Sequence, residues 1–318
     1  MTFGQSNMSA NVTDYELTVG SMIKLTLEVI LMAFVCTVNV LTLITVCLNR
    51  NLWTVHNMYV ISLAVADFLT SLSIPYQMVY NVPEILAVFD NNKYMCLCKY
   101  VILFIVISIS ILHMVLIAVD RWACITYPHK YERLATIPKA GILIVFVWIS
   151  GILLGTVPLY ANEWTRNTDC VFFKVLNPEY QIYVQGGFFI VTSVIIAACY
   201  GHMFRVAKRR TETLRRLTST GYTLNKETQM AKFKRDWELV KMFSVIFVVF
   251  FLCSAPSFLF IIVTYTAGVP ENVISFTTPL LLTNSGMNFV IYVVKNYQFR
   301  TALKATCLNC RTSVVAAT

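Results

Sequence analysis

Seven long apolar stretches run through the chain, and they constrain its fold more than any other feature of the sequence. A helix that crosses a bilayer needs roughly 20 mostly apolar residues, and lipid offers no partner to an unpaired backbone group. The stretches, predicted helices 1 to 7, are about Leu25 to Leu48, Met58 to Val82, Cys98 to Ile125, Ala140 to Tyr160, Tyr183 to Phe204, Leu239 to Tyr265 and Val273 to Val294. They predict an all-α membrane protein, a seven-transmembrane helix bundle, with a short amphipathic eighth helix at Tyr297 to Thr306.

Composition and charge agree with a membrane protein of defined orientation. Only 13% of the residues are charged and 57% are hydrophobic, whereas a soluble protein carries about a quarter charged residues. Most of the 25 Lys and Arg residues fall between helices 1 and 2, 3 and 4, and 5 and 6, and after helix 7. Such an excess marks the cytoplasmic side, so the amino terminus is expected outside. The net charge of +9 then reflects topology and contact with anionic membrane lipid, and no nucleic-acid partner is expected.

The predicted organisation is one membrane domain with two short flanks. Residues 1–22 form an extracellular glycosylated amino terminus, residues 23–295 the seven-transmembrane domain, and residues 296–318 the amphipathic helix with a short cytoplasmic tail. Asn7 and Asn11 each begin a glycosylation sequence, which matters only on an extracellular or lumenal surface. No charged start with an apolar core precedes helix 1, so helix 1 is expected to direct insertion. The expected location is the plasma membrane.

Cysteines near the outer surface are able to form a lasting disulfide, because that side is oxidising. Cys170 lies in the long loop between helices 4 and 5, and a bond to the start of helix 3 would tie this loop across the bundle mouth. Cys96 and Cys98 both lie near that start. On the inner side, Cys307 and Cys310 follow the amphipathic segment and are candidates for palmitoylation, with plain reduced thiols as the alternative.

A carboxylate, Asp67, lies in the middle of predicted helix 2. Charged residues at membrane depth are costly and usually face the bundle interior, where they serve a function. The polar residues expected to meet it are Asn39, Ser110, Asn284, Ser285 and Asn288. Oxygen ligands suit a small hard cation such as sodium, and the candidate metal site consists of Asp67, Ser110, Asn284 and Asn288. The alternative is a hydrogen-bonded polar core that only holds helices together.

Charged residues at the inner ends of helices 3 and 6 predict a latch. Asp120 and Arg121 lie at the end of helix 3, and Asp236 lies at the inner end of helix 6. An arginine held between two carboxylates by charge-assisted bonds is released when helix 6 moves outward. The alternative is an arginine that only extends its charge to the membrane surface, as is common in membrane proteins.

Individual residues along the seven stretches form an ordered set. They are Asn39 in helix 1, Leu63 to Asp67 in helix 2, Cys96 and Asp120-Arg121 in helix 3, Trp148 in helix 4, Tyr200 in helix 5, Phe250 and Cys253 to Pro256 in helix 6, Asn288 to Tyr292 in helix 7, and Phe299 beyond it. With this set, nearly all of the chain resembles the rhodopsin-like (class A) family of G-protein-coupled receptors.

The resemblance implies a function and assigns several roles. The chain is expected to convert binding of an extracellular ligand into activation of a heterotrimeric G protein through outward movement of helix 6, with arrestin as a further candidate partner. Cys96 becomes the expected partner of Cys170, and a sodium ion is favoured at Asp67. The expected switch residues are Asp120, Arg121, Tyr200, Asp236, Ser254 and Tyr292.

Three positions depart from this family in the helices that move. Helix 5 has Thr192 where the family usually has proline, helix 6 has Ser254 in place of tryptophan, and helix 7 has Phe289 in place of proline. Proline kinks a helix and a large indole resists a change of rotamer, so their loss is expected to straighten two helices and remove a packing switch. Altered basal signalling is the resulting hypothesis, and neutral change compensated by neighbours is the alternative.

Residues of the outer half exclude one ligand class and disfavour two others. Leu103 stands where amine receptors place an aspartate, so no carboxylate there pairs with an ammonium group. Leu282 stands where opsins carry the lysine of their Schiff base, which excludes retinal attachment. The second outer loop resembles that of adenosine receptors, whose residue matching Phe172 stacks on the purine. Ile261 replaces their purine-binding asparagine, however, and this disfavours adenosine.

Position within the family gives a candidate ligand pocket that is mostly apolar. Its lining is Leu103, Phe104, Ile107, Phe172, Val184, Gln185, Phe188, Ser257, Phe258, Ile261 and Thr278. Such a pocket suits a small, apolar or neutral ligand held by burial, with Gln185, Ser257 and Thr278 fixing its orientation. A nucleoside or a peptide is the alternative ligand class. A pocket filled by side chains or lipid tails is the other alternative.

Two other functional classes are weighed against a receptor. A seven-helix transporter or ion channel is expected to show several buried charges or broken helices, whereas only Asp67 lies clearly at mid-depth. The sequence contains no His-Glu-x-x-His zinc motif and no Gly-x-Ser-x-Gly turn, and His113 is expected to be a packed or hydrogen-bonded helix residue. No enzyme activity is therefore expected, and no cofactor besides an allosteric sodium ion.

Overall fold

The computed structural model describes residues 19–78, 91–166, 169–218, 226–267 and 274–315. Its long helices are α1 (Val19–Leu48), α2 (Val55–Met78), α3 (Lys93–Thr126), α4 (Ile137–Gly155), α5 (Gly187–Thr218), α6 (Lys226–Ala267), α7 (Ile274–Lys295) and α8 (Tyr297–Val315). Asn7 and Asn11 lie outside these ranges. Asp236 and Cys310 lie inside them, but the structure describes only their backbone and not their side chains.

Shorter segments connect the long helices. A short helix, Pro128–Leu134, forms the second inner loop, and one turn, Phe172–Val175, lies in the second outer loop. A π-helical segment, Tyr180–Gly186, leads directly into α5. Within the described ranges, extended structure is limited to one isolated bridge between Asn162 and Leu176. The described chain is thus almost entirely helical, as the sequence predicts.

The long helices are able to cross a bilayer. Six of them, α1 to α6, contain windows that are long and apolar enough to do so within the described ranges. The seventh, α7, has 22 residues, which suits the roughly 30 Å hydrocarbon thickness at 1.5 Å per residue. The eighth, α8, is held against the bundle, where the Asn49 amide donates to the Thr306 hydroxyl at 3.1 Å.

The helices pack as a closed bundle around α3. This helix contacts α2, α4, α5 and α6, while α7 closes the ring by contacting α6 and α1. Seventeen of the 34 residues of α3 are buried. Because α3 touches so many neighbours, its side chains are the ones that position residues of several helices relative to one another.

Two glycines allow α3 and α4 to approach closely. A Cβ atom added at Gly151 would lie 2.4 Å from Ile109 Cγ1, and one added at Gly155 would lie 2.4 Å from the Ile105 backbone nitrogen. Small residues four apart commonly let membrane helices meet at their backbones, where dispersion contacts stabilise the pair. Such a contact fixes the distance between the two helices.

Three side chains, of which Ser62 and His113 are buried and Trp148 is half-buried, join α2, α3 and α4. Trp148 Nε1 donates to Ser62 Oγ at 2.9 Å, and Ser62 Oγ lies 2.8 Å from His113 Nε2. His113 Nδ1 lies 2.8 Å from the Ile109 carbonyl oxygen, which accepts only, so Nδ1 carries the proton and Nε2 accepts from Ser62. Every hydrogen bond in this Ser62–His113–Trp148 cluster therefore has a matched donor and acceptor. The expectation for His113 agrees with this contact.

The second outer loop is tied to the start of α3. Cys96 and Cys170 form a disulfide, and Cys98 is a free thiol. Tyr100 OH donates to the Cys170 carbonyl oxygen at 3.1 Å, which adds a second tie beside the first. The loop consequently lies over the outer end of the bundle.

Candidate functional site

The carboxylate of Asp67 lies at the centre of a buried polar cluster. Its side chain is fully buried. Ser110 Oγ donates to Asp67 Oδ1 at 3.0 Å, and Asn288 Nδ2 donates to Oδ2 at 2.8 Å. The Ser285 side chain is also within hydrogen-bonding reach of this carboxylate. Residues from α2, α3 and α7 thus meet here, as the sequence predicts.

The other two polar residues expected at Asp67 have different environments. Asn39 donates to the carbonyl oxygens of Val35 and Ser285, at 2.9 and 3.1 Å, so it ties α1 to α7. Asn284 is buried, but its Oδ1 accepts no hydrogen bond from any described residue, and the same holds for Asn288 Oδ1. These two amide oxygens and the Asp67 carboxylate are oxygen ligands of the kind that a sodium ion takes. The donor set therefore fits the proposed ion chemically.

The arginine at the inner end of α3 is held by two partners. Arg121 forms an ion pair with Asp120, and its Nε donates to Asp120 Oδ2 at 3.0 Å. Arg121 Nη2 also donates to the hydroxyl of Tyr131 at 3.1 Å, and that hydroxyl donates to Asp120 Oδ1 at 2.8 Å. Burial raises the pKa of the Tyr131 phenol, so the group keeps the proton that it donates. The three residues form a closed latch, Asp120–Arg121–Tyr131.

The second carboxylate predicted for this latch, Asp236, lies in α6 with a side chain outside the described set. Tyr131 is a partner of Arg121 that the sequence analysis missed. It lies ten residues along the chain in the second inner loop, and a tyrosine in a loop gives no sign of the residue to which it bonds.

The inner ends of α5, α6 and α7 meet through aromatic rings. Tyr200 stacks on Phe247 with ring centroids 6.2 Å apart, and Tyr292 lies edge-on to Phe243 at 6.0 Å. The hydroxyl of Tyr292 is buried and has no hydrogen-bond partner among the described residues. A small cavity separates these helices, lined by Leu63, Met114, Ile117, Ile196, Tyr200, Phe243, Ile246 and Tyr292. This part of the bundle is packed by rings rather than tied by hydrogen bonds.

Aromatic residues of the second outer loop cover the outer half. Phe172 lies edge-on to Tyr100 at 5.7 Å and to Phe104 at 6.2 Å, both on α3. Phe173 packs against Phe260 of α6 at 6.3 Å. The loop therefore bridges α3 and α6 at this end of the bundle.

The remaining predicted lining residues occupy several environments. Leu103 packs with Ile74 and Leu282 in a buried cluster, to which Ile107 adds. Ile261 is buried, Phe258 stacks on Phe189 at 4.3 Å, and Phe188 packs against the core. Gln185 donates to Tyr180 OH at 3.4 Å, Ser257 donates to the Thr277 carbonyl oxygen at 3.2 Å, and Thr278 is half-buried. Val184, by contrast, is 39% exposed.

Two of the three residues that depart from the family, Thr192 and Phe289, make local contacts. Thr192 Oγ1 donates to the carbonyl oxygens of Phe188 and Phe189, at 2.7 and 3.1 Å, in the preceding turn of α5. Ser254 is fully buried, and its hydroxyl has no partner in the described part of the chain. Phe289 lies edge-on to Phe299 of α8 at 6.0 Å. These three residues therefore lie within the packed bundle.

Cys307, a palmitoylation candidate, is exposed on α8.

Known proteins resemble this chain over the helices that carry the sites described above. The model of the family described as 7 transmembrane receptor (rhodopsin family) matches residues 38–292, which run from α1 to α7. Similar proteins are named as receptors, and three of them serve as examples. Probable G-protein coupled receptor No18 of Amphibalanus amphitrite is 26% identical over 95% of this chain and 94% of its own length. Octopamine receptor beta-2R of Chilo suppressalis is 28% identical over 95% and 84%, and Adenosine receptor A3 of Ovis aries is 26% identical over 92% and 93%.

Proposed function

The chain belongs to the rhodopsin family of seven-transmembrane receptors, and we propose that it converts binding of a small, apolar or neutral extracellular ligand into G-protein activation through outward movement of α6. Family membership makes it a G-protein-coupled receptor that crosses the membrane several times. The family consists of receptors rather than enzymes, and neither a transporter nor an ion channel is favoured by the comparisons.

The observation that carries the coupling mechanism is the Asp120–Arg121–Tyr131 latch. Arg121 is 4% exposed, and its charge is satisfied on the inner side by two partners outside α6. A buried guanidinium needs such partners, because an unpaired buried charge is strongly destabilising. When α6 moves outward, the groove beside Arg121 opens, and the guanidinium is free to exchange these partners for the G protein. Asp236 of α6 is proposed as a further partner in the closed state.

Nucleotide exchange on purified G-protein α subunits tests this coupling. Arg121→Ala should abolish exchange, because it removes the group that leaves the latch. Arg133→Ala is the matched control, since Arg133 is an exposed arginine of the second inner loop, which follows α3. Equal loss of exchange in both variants would mean that general basic charge, and not the latch, supports coupling.

The ligand proposal follows from the apolar outer half. The octopamine relative is named for an amine, but Leu103 of this chain is buried among leucine and isoleucine side chains and offers no charge to an ammonium group. Ser257 and Gln185 already donate hydrogen bonds within the protein. An apolar or neutral molecule therefore loses less hydration than a charged one would on entering this site. A nucleoside, as in the adenosine relative's name, or a peptide is the alternative.

A ligand screen tests the proposed pocket. Lipids, steroids, nucleosides and peptides are compared for stimulated nucleotide exchange, and the hit is repeated on Phe172→Ala. The ring of Phe172 closes the mouth against Tyr100 and Phe104, so the variant should need a higher ligand concentration. Phe146→Ala is the control, because Phe146 is 67% exposed on α4. An unchanged response in Phe172→Ala would place the ligand elsewhere.

The polar cluster of Asp67, Ser110, Asn284 and Asn288 is proposed to hold an allosteric sodium ion. The unpartnered oxygens of Asn284 and Asn288 support this, because buried acceptors without donors favour a cation. Bound sodium would supply the positive charge that offsets the buried carboxylate of Asp67. The three chain segments that meet at Asp67 would then be held together more tightly.

The remaining proposals concern the surfaces. The amino terminus with Asn7 and Asn11 is proposed to be extracellular and glycosylated at the plasma membrane, within the domain boundaries given by the sequence. The basic inner rim is proposed to contact anionic lipid, and arrestin is proposed as a second cytoplasmic partner. Palmitoylation is proposed at Cys307 and Cys310, and exposure of Cys307 at the helix that packs on α1 supports this.

A further inference from the structure

His56 is a buried histidine with no hydrogen-bond partner among the described residues. It lies in the first turn of α2 at the inner end of the bundle and is 8% exposed. Both ring nitrogens, Nδ1 and Nε2, are buried and unpaired. An imidazole always carries at least one N–H donor, and in its neutral form one acceptor as well. The ring therefore loses its hydration in this packing without regaining hydrogen bonds.

One side chain that packs on His56 belongs to α6. Phe243 lies edge-on to the imidazole with ring centroids 4.8 Å apart and an interplanar angle of 82°. Phe243 is itself 2% exposed and also contacts the ring of Tyr292 on α7. The Arg121 guanidinium of the latch lies within electrostatic range of the same imidazole. Phe243 of α6 is thus one of the side chains that bury His56, and its own position is tied to α7 through Tyr292.

The second buried histidine shows the contrast within one molecule. His113 is fully buried, yet both of its nitrogens are bonded, to Ile109 O and to Ser62 Oγ. A bonded histidine of this kind stabilises the packing around it, whereas an unbonded one destabilises it, because a desolvated polar group without a partner raises the free energy of the state that buries it.

We propose that His56 destabilises the closed position of α6 and thereby sets the basal signalling of this receptor. Withdrawal of Phe243 exposes the imidazole to water or to a polar group of the bound G protein, and either restores its hydrogen bonds. The closed state is penalised and the open state is not, so the equilibrium shifts toward opening. This inference rests on the proposed movement of α6 and assigns a role to a residue outside the latch.

His56→Leu tests the proposal, because leucine fills a similar volume without polar atoms. The purified ligand-free receptor should melt at a higher temperature than the parent. Basal nucleotide exchange on a panel of G-protein α subunits should fall about fivefold, the effect expected for one unpaired buried group. His56→Phe serves as a second apolar variant in case leucine packs poorly. His113→Leu is the matched control, and it should melt at a lower temperature because it breaks satisfied bonds.

The two measurements decide whether His56 destabilises the closed state or, like His113, stabilises it. A lower or unchanged melting temperature in both apolar variants would overturn the proposal, since it would mean that His56 is bonded or indifferent in the closed state. A higher melting temperature with unchanged basal exchange would also overturn it, because the closed state would then not be the silent one. If the parent itself activates no G protein, the coupling proposal fails, while the melting comparison still decides whether His56 destabilises the closed packing.

Discussion

On the α2–α3–α4 side of the bundle, Ser62 bonds both His113 and Trp148, and His113 also bonds the Ile109 carbonyl oxygen. Along α6 and α7, by contrast, the hydroxyls of Ser254 and Tyr292 and the Asn284 Oδ1 atom are buried without partners among the described residues. Buried polar groups that are fully bonded rigidify their surroundings, and unpaired ones weaken the state that buries them. The difference separates the Ser62–His113–Trp148 cluster, which holds its three helices firmly, from the α6–α7 region, which is held less firmly.

Backbone packing follows the same division. Gly151 and Gly155 bring α4 against the backbone of α3, so this pair of helices has little freedom to shift. The inner parts of α5, α6 and α7 meet instead through the rings of Tyr200, Phe243, Phe247 and Tyr292, around a small cavity. The burial of apolar surface that holds these rings together is non-directional, unlike a hydrogen bond, so the rings are able to pack in more than one arrangement. Movement is therefore expected on the α6 side.

The largest effect is expected from breaking the fixed side at a glycine. In Gly155→Ala the new Cβ would lie 2.4 Å from the Ile105 nitrogen and 2.5 Å from its Cα, so α3 and α4 must separate. We expect a loss of stability of about 3 kcal/mol and a low yield of folded receptor, measured by thermal melting in detergent. Gly141→Ala in the same helix is the control, because nothing lies within 4 Å of its added Cβ. Similar melting of the two variants would show that α4 is not fixed by this contact.

A smaller loss is expected when the polar cluster of the fixed side is opened. His113→Leu removes the acceptor of Ser62 and the donor to Ile109. The unpaired groups left behind should cost about 2 kcal/mol in melting experiments. G-protein activation per folded receptor should change little, because the cluster lies on the side that does not move. A large change of activation at unchanged stability would contradict the division between the two sides.

Sodium offers a test at the boundary between the two sides. Asp67 of α2 accepts from Ser110 of α3 and Asn288 of α7. The parent should melt at a higher temperature in sodium chloride than in choline chloride. The stabilisation should be about 1.4 kcal/mol when the sodium concentration is about tenfold the dissociation constant. Asp67→Asn should lose this difference. If the variant keeps it, the ion acts at another place.

The smallest effect is expected at the latch. Tyr131→Phe keeps the Asp120–Arg121 ion pair and removes one hydrogen bond to each partner. Weaker restraint of Arg121 should raise basal nucleotide exchange about threefold, in line with the modest net value of one hydrogen bond. Tyr127→Phe is the control, since Tyr127 is 49% exposed in the same loop. Lower basal exchange in Tyr131→Phe would mean that this tyrosine supports the active state.

The sequence predicts the helices well and the contacts between them only in part. Long apolar stretches identify α1 to α7 because membrane insertion depends on local composition. Asp67 stands out because isolated charge at membrane depth is rare. Ser62, His113 and Trp148 are separated by 51 and 35 residues, and no local spacing reveals that they meet.

Tyr131 and His56 are two further residues whose environment the sequence does not predict. The bond of Tyr131 to Arg121 depends on how the second inner loop folds back on α3. The ring nitrogens of His56 are unpaired within the described part of the chain because the α6 residue packed on the imidazole is Phe243, whose ring offers no conventional hydrogen-bonding group. The Tyr131 bond and the unpaired His56 ring both depend on packing between segments that are distant in the chain. The sequence alone indicates which positions are buried, but not which residues they contact.

Distances between spin labels at the inner ends of the helices test the central claim most directly, namely that α6 moves while the α2–α4 side stays fixed. Labels are placed at exposed Lys139 on α4, Lys241 on α6 and Arg50 between α1 and α2, after Cys47, Cys307 and Cys310 are replaced by serine. On binding of nucleotide-free G protein, the distance from Lys139 to Lys241 should lengthen, and the distance from Lys139 to Arg50 should not change. An unchanged first distance, or equal changes in both, would contradict a receptor built from one fixed and one moving side.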